Sequence, residues 1–199
     1  MLPLVLYDAM FILSYKDIPF VTIWVEYSDI HIAMKSIGAK PIKRRDGSEV
    51  CTVPTYPEKP IFPNNSEPLI RAFDSAHLSL IFPGFKSLFL RTMEALGPAS
   101  ANFFIGVRSA DVPLPWDENF DADWKLLEKA YNTAYEWYQM TDGKWIMGDT
   151  FSYADIIIGC WLLWHKRVLK EDEWARISSW NGGKWAQVLE DVEKECKLA

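Results

Sequence analysis

The chain has few of the residues that build disulfide frameworks and metal centres. Its three cysteines, Cys51, Cys160 and Cys196, lie far apart, which excludes a disulfide framework and indicates a reducing compartment. The three histidines are equally scattered, so we expect no metal site. No run is long and apolar enough to span a bilayer, and the apolar start lacks the basic segment of a signal peptide. We therefore expect a cytoplasmic protein with no membrane partner.

Basic residues are also few relative to acidic ones. The chain has 21 Lys and Arg against 27 Asp and Glu, a net charge of −6, which argues against a nucleic-acid partner. Nucleophile elbows, phosphate loops and dinucleotide fingerprints are absent from the sequence, which argues against those enzyme classes. Aromatic residues, by contrast, are abundant. Ten tryptophans and an aromatic content of 15% suit aromatic helix packing or an apolar ligand cleft.

The most informative segment begins at Gly148 and contains a predicted helix start. Ser152 and Asp155 have the spacing of a capping box, and Phe151 and Ile156 have the spacing of a hydrophobic staple across it. The helix that follows, 153–169, is apolar nearly all round, so we expect it to be buried. A buried helix start has no water to satisfy its free amides, and the box supplies that need. A capping box alone also begins ordinary helices; the three features together are more specific.

The chain divides into a mixed first part and a helical second part. We predict strands at 4–7, 20–25 and 50–53, with a helix end at 10–15 and a short helix at 31–37. From Glu58 onward the patterns predict helices only, at 66–82, at 85–96, along a stripe from Trp124 to Tyr138, and along a last stripe from Trp185 to Val192. The predicted fold class is α+β, with domains at 1–57 and 64–199.

Several segments resemble fungal members of the glutathione transferase family. In the first part these are 24–30, 37–41 and 52–55; in the second they are 148–155, 161–164 and 177–183. Together they are similar to the fungal etherase-like class, also called fungal-specific class A, over most of the chain. The resemblance implies an incomplete thioredoxin-like N-terminal domain followed by an all-helical C-terminal domain. It also implies glutathione as co-substrate, a small hydrophobic molecule as second substrate, and a homodimer.

The resemblance places a glutathione site in the first domain. Val53 and Pro54 match a family element in which a cis-proline follows a residue whose backbone pairs with the cysteinyl part of glutathione. Lys43, together with Lys40, would meet the glycyl carboxylate. Two family elements lack a counterpart here, namely the loop with the catalytic serine and the acidic-Ser pair that begins the third helix. Tyr7, expected at the end of the first strand, is the fallback thiolate donor, as in other classes, with a buried strand tyrosine as the alternative.

Other candidates have an ordinary structural interpretation beside the functional one. Ser14 could replace the catalytic serine or be a helix residue, and Cys51 could be a nucleophile or a strand residue. Asp74-Ser75 could be ordinary helix positions rather than the missing acidic-Ser pair. For the hydrophobic substrate pocket, the resemblance suggests three residues of the helical half: Phe104, Trp161 and Trp164. Their spacing does not distinguish pocket walls from core. The functional hypothesis is glutathione conjugation, or glutathione-dependent ether cleavage, of small aromatic electrophiles. The alternatives are a catalytically impaired ligand-binding protein and a truncated gene product.

Overall fold

The computed structural model describes residues 5–21, 25–26, 29–36, 42–43, 49–50, 62–108 and 121–197. Within these ranges the chain forms eight α-helices and one antiparallel two-stranded ladder. In chain order the elements are α1 (Val5–Tyr15), α2 (Ile30–Ser36), β1 (Ile42–Lys43), β2 (Glu49–Val50), α3 (Glu67–Ile81), α4 (Phe85–Ala95), α5 (Pro98–Arg108), α6 (Asp121–Tyr138), α7 (Tyr153–Val168) and α8 (Glu171–Glu195).

Most helices of the second part agree with the sequence patterns. The predictions for α3, α4, α6 and α7 are confirmed to within a residue or two at the ends that were predicted. Helix α5 was not predicted, because Gly97-Pro98 directly after the helix predicted at 85–96 is a typical stop signal. Pro98 in fact begins the next helix, since the first turn needs no amide hydrogen from proline. Helix α8 is also longer than predicted. The predicted stripe begins at Trp185, whereas the helix starts at Glu171.

The first strand prediction is wrong for the residues that the structure describes. Positions 5–7 lie in helix α1, not in a strand. A short apolar run fits a buried strand and a buried helix equally well, and here the continuation of the pattern decides. Phe11 and Ile12 are buried in the main core, and Tyr15 one turn later packs against it. The predicted helix end at 10–15 is therefore the second half of one longer helix.

The other strand predictions are only partly represented. Phe20, Val21 and Val25 are not in a strand, and Val21 is 87% exposed, so this segment lacks the burial that its β-branched composition suggested. At the third predicted strand, β2 ends at Val50, and 51–53 lie outside the described residues. Strand β2 pairs with β1, with Ile42 opposite Val50. Helix α2 confirms the predicted short helix from 31.

Helix α7 lies at the centre of the helical part. It packs against α1, α3, α4 and α8, and eleven of its residues are buried, which confirms the prediction of a buried helix. Helix α8 approaches it closely at Gly159, where an added Cβ would lie 2.7 Å from Val192 Cγ1. The main core contains several fully buried aromatic side chains, namely Trp164, Trp185, Tyr131, Tyr138 and Phe11.

Candidate functional site

The start of α7 is held by a buried carboxylate. Asp155 Oδ2 accepts hydrogen bonds from the backbone N–H and the hydroxyl of Ser152, both at 3.0 Å. Asp155 Oδ1 accepts a bond from Ile146 N–H at 3.0 Å and one from the Tyr138 hydroxyl at 3.4 Å. Burial raises the pKa of Asp155, while the bonds from Ile146, Ser152 and Tyr138 oppose that shift. The box at Ser152 and Asp155 therefore also fastens the preceding loop to the helix.

The residue before the box joins α1 to this structure. The Phe151 ring lies 4.9 Å from the Tyr15 ring and 4.8 Å from the Trp145 ring, measured between centroids. Phe151 and Ile156 are both buried in the main core, at the positions that a hydrophobic staple requires. The contact with Tyr15 places the end of α1 directly over the start of α7.

A second apolar cluster lies where α3 meets the first half of α7. Its buried centre consists of Ile70, Ala154 and Ile157. Half-buried side chains surround that centre: Phe62, Phe73, Ile146, Met147, Tyr153 and Trp161. We call these nine residues the α3–α7 cluster. Because most of its outer members are aromatic and partly exposed, this cluster offers a surface for a flat apolar molecule.

A chain of ring contacts runs from the α3–α7 cluster into the main core. Phe73 stacks on His77 at 6.0 Å and meets Trp137 edge-on at 5.2 Å. His77 in turn lies 6.0 Å from Trp161. Trp161 continues the chain to Trp164 at 5.3 Å and to His165 at 6.0 Å. The aromatic rings of the α3–α7 cluster thus pack directly on aromatic side chains of the main core.

Two histidines of this chain of rings are buried and neutral. His165 Nδ1 shares a 2.8 Å hydrogen bond with the Tyr131 hydroxyl, whereas His165 Nε2 and His77 Nδ1 have no hydrogen-bond partner in the structure. Burial lowers the pKa of both side chains to about 3, with a further contribution from His77 at His165. Because both rings are neutral and inaccessible, they act as polar core residues and not as surface acids or bases.

Comparison with known proteins identifies the fold. Residues 68–194 match the family model described as the C-terminal domain of glutathione S-transferase. The chain belongs to the glutathione transferase family. No curated protein matches it in a sequence search.

Solved glutathione transferases resemble the chain over nearly its whole length. CsGST63524 of Ceriporiopsis subvermispora, crystallised in complex with glutathione, is 31% identical; the match covers 96% of this chain and 90% of that chain, with a TM-score of 0.82. CsGST83044 of the same organism, also in complex with glutathione, is 26% identical over 96% and 91% of the two chains, with a TM-score of 0.83. GSTFuA2 of Phanerochaete chrysosporium is 25% identical over 97% and 90%, with a TM-score of 0.81.

The glutathione transferase structure brings together only some of the predicted pocket residues. Trp161 is half-buried and belongs to the α3–α7 cluster. Trp164 is 1% exposed and lies in the main core behind Trp161. Phe104 lies in α5, and its side chain is outside the part that the structure describes. The pocket therefore remains a prediction, with Trp161 at the accessible end of the pair.

The predicted glutathione-site residues fall mostly outside the described ranges. Val53 and Pro54 are not among the described residues, and for Lys43 only the backbone, in β1, is described. The backbone of Tyr7 lies in α1, which corrects the expectation of a strand end at this position. Its proposed role as thiolate donor is still a prediction.

Asp74 and Ser75 are exposed on α3, while His77 of the same helix is buried. These three residues therefore make no catalytic triad.

The described part of the chain lacks two features, a group of metal-binding side chains and a helix that could cross a membrane. Among those residues, no cluster of three or more His, Cys, Asp or Glu side chains could hold a metal ion. In the same part, none of the helices combines the length and apolar character needed to cross a membrane.

Proposed function

We propose that this glutathione transferase binds glutathione and transfers it to small hydrophobic, aromatic electrophiles, by conjugation or by ether cleavage. The observation that carries the proposal is the α3–α7 cluster, in which the half-buried aromatic side chains of Tyr153, Trp161 and Phe73 pack around one buried apolar centre. Family membership supports glutathione as the co-substrate, because two relatives were crystallised with it. An etherase-like specificity is the narrower form of the same proposal.

In this proposal the first part of the chain holds glutathione. Val53 and Pro54 pair with the cysteinyl backbone, and Lys43 meets the glycyl carboxylate. The thiolate is the reactive form of the cysteine. A hydroxyl that hydrogen-bonds the thiolate lowers the thiol pKa and so raises the reactive fraction. Tyr7 is the proposed donor of that hydrogen bond.

The aromatic electrophile packs on the α3–α7 cluster. Its ring contacts Trp161 and Tyr153 in offset or edge-on arrangements, which add to the burial of apolar surface. Ile146 and Met147, from the loop before α7, belong to the same cluster. Because Asp155 holds the Ile146 backbone at 3.0 Å, this side of the surface is fixed before a ligand arrives.

A pair of tryptophan variants tests the placement of the electrophile. We expect Trp161→Ala to raise the KM for an aryl chloride about tenfold while the affinity for glutathione, measured by calorimetry, stays unchanged, since a buried aromatic contact is worth about 1.5 kcal/mol or more. Trp174→Ala is the matched control, because Trp174 packs on the main core and not on the α3–α7 cluster. Equal effects of the two substitutions on KM would contradict the placement.

A second candidate function is a catalytically impaired member that binds ligands without reaction. The observation that favours it is the position of Tyr7 inside α1 and not at the end of a strand. This candidate predicts that glutathione and an aromatic ligand both raise the melting temperature, while the conjugation rate equals that of the uncatalysed reaction. Tyr7→Phe separates the two functions. A fall in rate of at least tenfold supports catalysis, and no change in a measurable rate removes Tyr7 from the mechanism.

We further propose that the chain is a cytoplasmic homodimer, as the resemblance implies. Sedimentation equilibrium of the purified chain measures the assembly directly. A single species with the mass of one 23.0 kDa chain would contradict the dimer.

A further inference from the structure

A left-handed turn divides helix α8 into two parts. Asn181, Gly182 and Gly183 have φ values of 53°, 71° and 86°, and Trp180 before them is extended with ψ of 151°. Glycine adopts positive φ without strain, and asparagine is among the few other residues that tolerate it. Gly182 is exposed and Asn181 is half-buried. The turn therefore presents an Asn-Gly sequence, the only one in the chain, at the surface.

Both polar atoms of the Asn181 side chain are hydrogen-bonded in this turn. Asn181 Nδ2 donates to Asn132 Oδ1 of α6 at 2.8 Å. Trp185 Nε1 donates to Asn181 Oδ1 at 2.8 Å, and Trp185 itself is fully buried. The Asn181 amide is thus held between Asn132, which is exposed on α6, and Trp185, which is buried one turn further along α8.

We propose that Asn181 is a site of spontaneous deamidation which the folded turn keeps in its unmodified form. In the reaction the Gly182 backbone nitrogen attacks Asn181 Cγ, so that a C–N bond forms and the bond from Cγ to Nδ2 breaks. The amide proton of Gly182 goes to the departing nitrogen, which leaves as ammonia, and a cyclic imide remains. Water then adds to either of the two imide C–N bonds and gives aspartate or isoaspartate. Glycine favours the attack because it has no side chain beside the nitrogen.

The folded structure opposes the first step. To reach the Gly182 nitrogen, the Asn181 side chain must leave both Asn132 and Trp185. The loss of one hydrogen bond of ordinary net strength corresponds to a factor of about 5, and the loss of two to a factor of about 30. Isoaspartate adds a carbon to the main chain, which does not fit a turn in which three consecutive residues are left-handed. Modification is therefore expected mainly in molecules that have opened α8, and it hinders their return to the fold.

The test compares deamidation rates by peptide mass spectrometry. The full chain is incubated folded and in urea in the same mildly alkaline buffer, together with two folded variants. We expect modification at Asn181 to be at least about 30-fold slower in the folded chain than in urea, and Asn132→Ala to accelerate the folded rate about 5-fold. Asn132→Asp is the matched control, because its carboxylate still accepts the bond from Asn181. Asn132 is exposed on α6, so both variants should fold.

Three results would overturn the proposal. The first is equal rates in the folded and urea-unfolded chains, which would mean that the turn gives no protection. The second is an Asn132→Ala rate equal to that of the wild type, since the hydrogen bond would then have no effect. The third is an unmodified Asn181 even in urea, which would remove the reactivity itself.

Discussion

Acid should destabilise the helical part through its two buried histidines. His77 is 1% exposed and His165 is fully buried, and burial lowers the pKa of each from 6.5 to about 3. Between these values the unfolded chain binds protons that the folded chain excludes. The two histidines therefore do not lower the free energy of unfolding above about pH 6.5, and they lower it progressively as the pH drops from there toward 3.

The expected loss is large relative to typical domain stability. A pH of about 5 lies roughly 1.5 units below the ordinary pKa of a histidine in the unfolded chain. Each unit corresponds to about 1.36 kcal/mol of unfolding free energy. The loss is therefore about 2 kcal/mol for each histidine and about 4 kcal/mol for both, or roughly 8 to 16 °C in melting temperature for a chain of this size. Asp155 acts in the opposite direction. Its pKa is raised by burial, so it favours the folded state as the pH falls.

Urea unfolding at several pH values, followed by far-ultraviolet circular dichroism, measures this loss. The variant His77→Phe keeps a ring beside Phe73, and His165→Gln keeps a hydrogen-bonding group near Tyr131. We expect each substitution to remove about half of the difference in unfolding free energy between about pH 8 and pH 5. The control is His31→Gln, because His31 is exposed on α2. If both core variants lose as much stability in acid as the wild type, the reasoning is refuted.

Three further stability predictions follow from close contacts in the helical part, each measured by urea unfolding. Gly159→Ala should cost about 1–3 kcal/mol, because the new Cβ would lie 2.7 Å from Val192 Cγ1. Arg91→Met should cost about 1–3 kcal/mol, because it leaves the Glu173 carboxylate, 15% exposed, without its 2.8 Å partner. Asp155→Asn should cost about 2–4 kcal/mol, because in either orientation of the new amide its nitrogen would face a backbone N–H donor, that of Ser152 or that of Ile146.

Second substitutions check the first two of these causes. Adding Val192→Ala to Gly159→Ala should recover part of the loss by relieving the contact, although Val192→Ala alone leaves a cavity. Adding Glu173→Gln to Arg91→Met should recover part of that loss, since position 173 then carries no charge that lacks a partner. Strict additivity in either pair would show that the two side chains are not coupled.

The helical half was predictable because its signals are local. Capping spacing and helical stripes fix α3, α6 and α7 from neighbouring residues alone. The errors occurred where one local signal fits two structures. Residues 5–7 suit a buried strand until the stripe through Phe11 and Tyr15 is included, and Pro98 suits both the end of one helix and the start of the next. The left-handed turn at Asn181 was also missed, although its Asn-Gly-Gly sequence is a turn signal.

The α3–α7 cluster could not be predicted from the sequence because its parts are far apart in the chain. Phe73 lies in the helix predicted at 66–82, where its position alone fits an ordinary core residue, and Ile146 and Met147 have no pattern of their own. Only the packing of α3 on α7 shows that these side chains contact the same buried residues as Trp161. Periodicity predicts that a residue is buried, but it does not say whether the neighbour is core or ligand.

Asp155 connects the stability of the helical part to the proposed ligand surface. The same carboxylate that fixes the start of α7 holds the backbone of Ile146, and Ile146 belongs to the α3–α7 cluster. We therefore expect Asp155→Asn to weaken the binding of an aromatic ligand, measured by tryptophan fluorescence on folded protein, about 3- to 10-fold, since one lost hydrogen bond of about 1 kcal/mol frees the loop. Gly159→Ala is the control, because it lowers stability at α8, away from this loop. If both variants weaken binding equally, the effect is loss of folded protein and not loss of the surface.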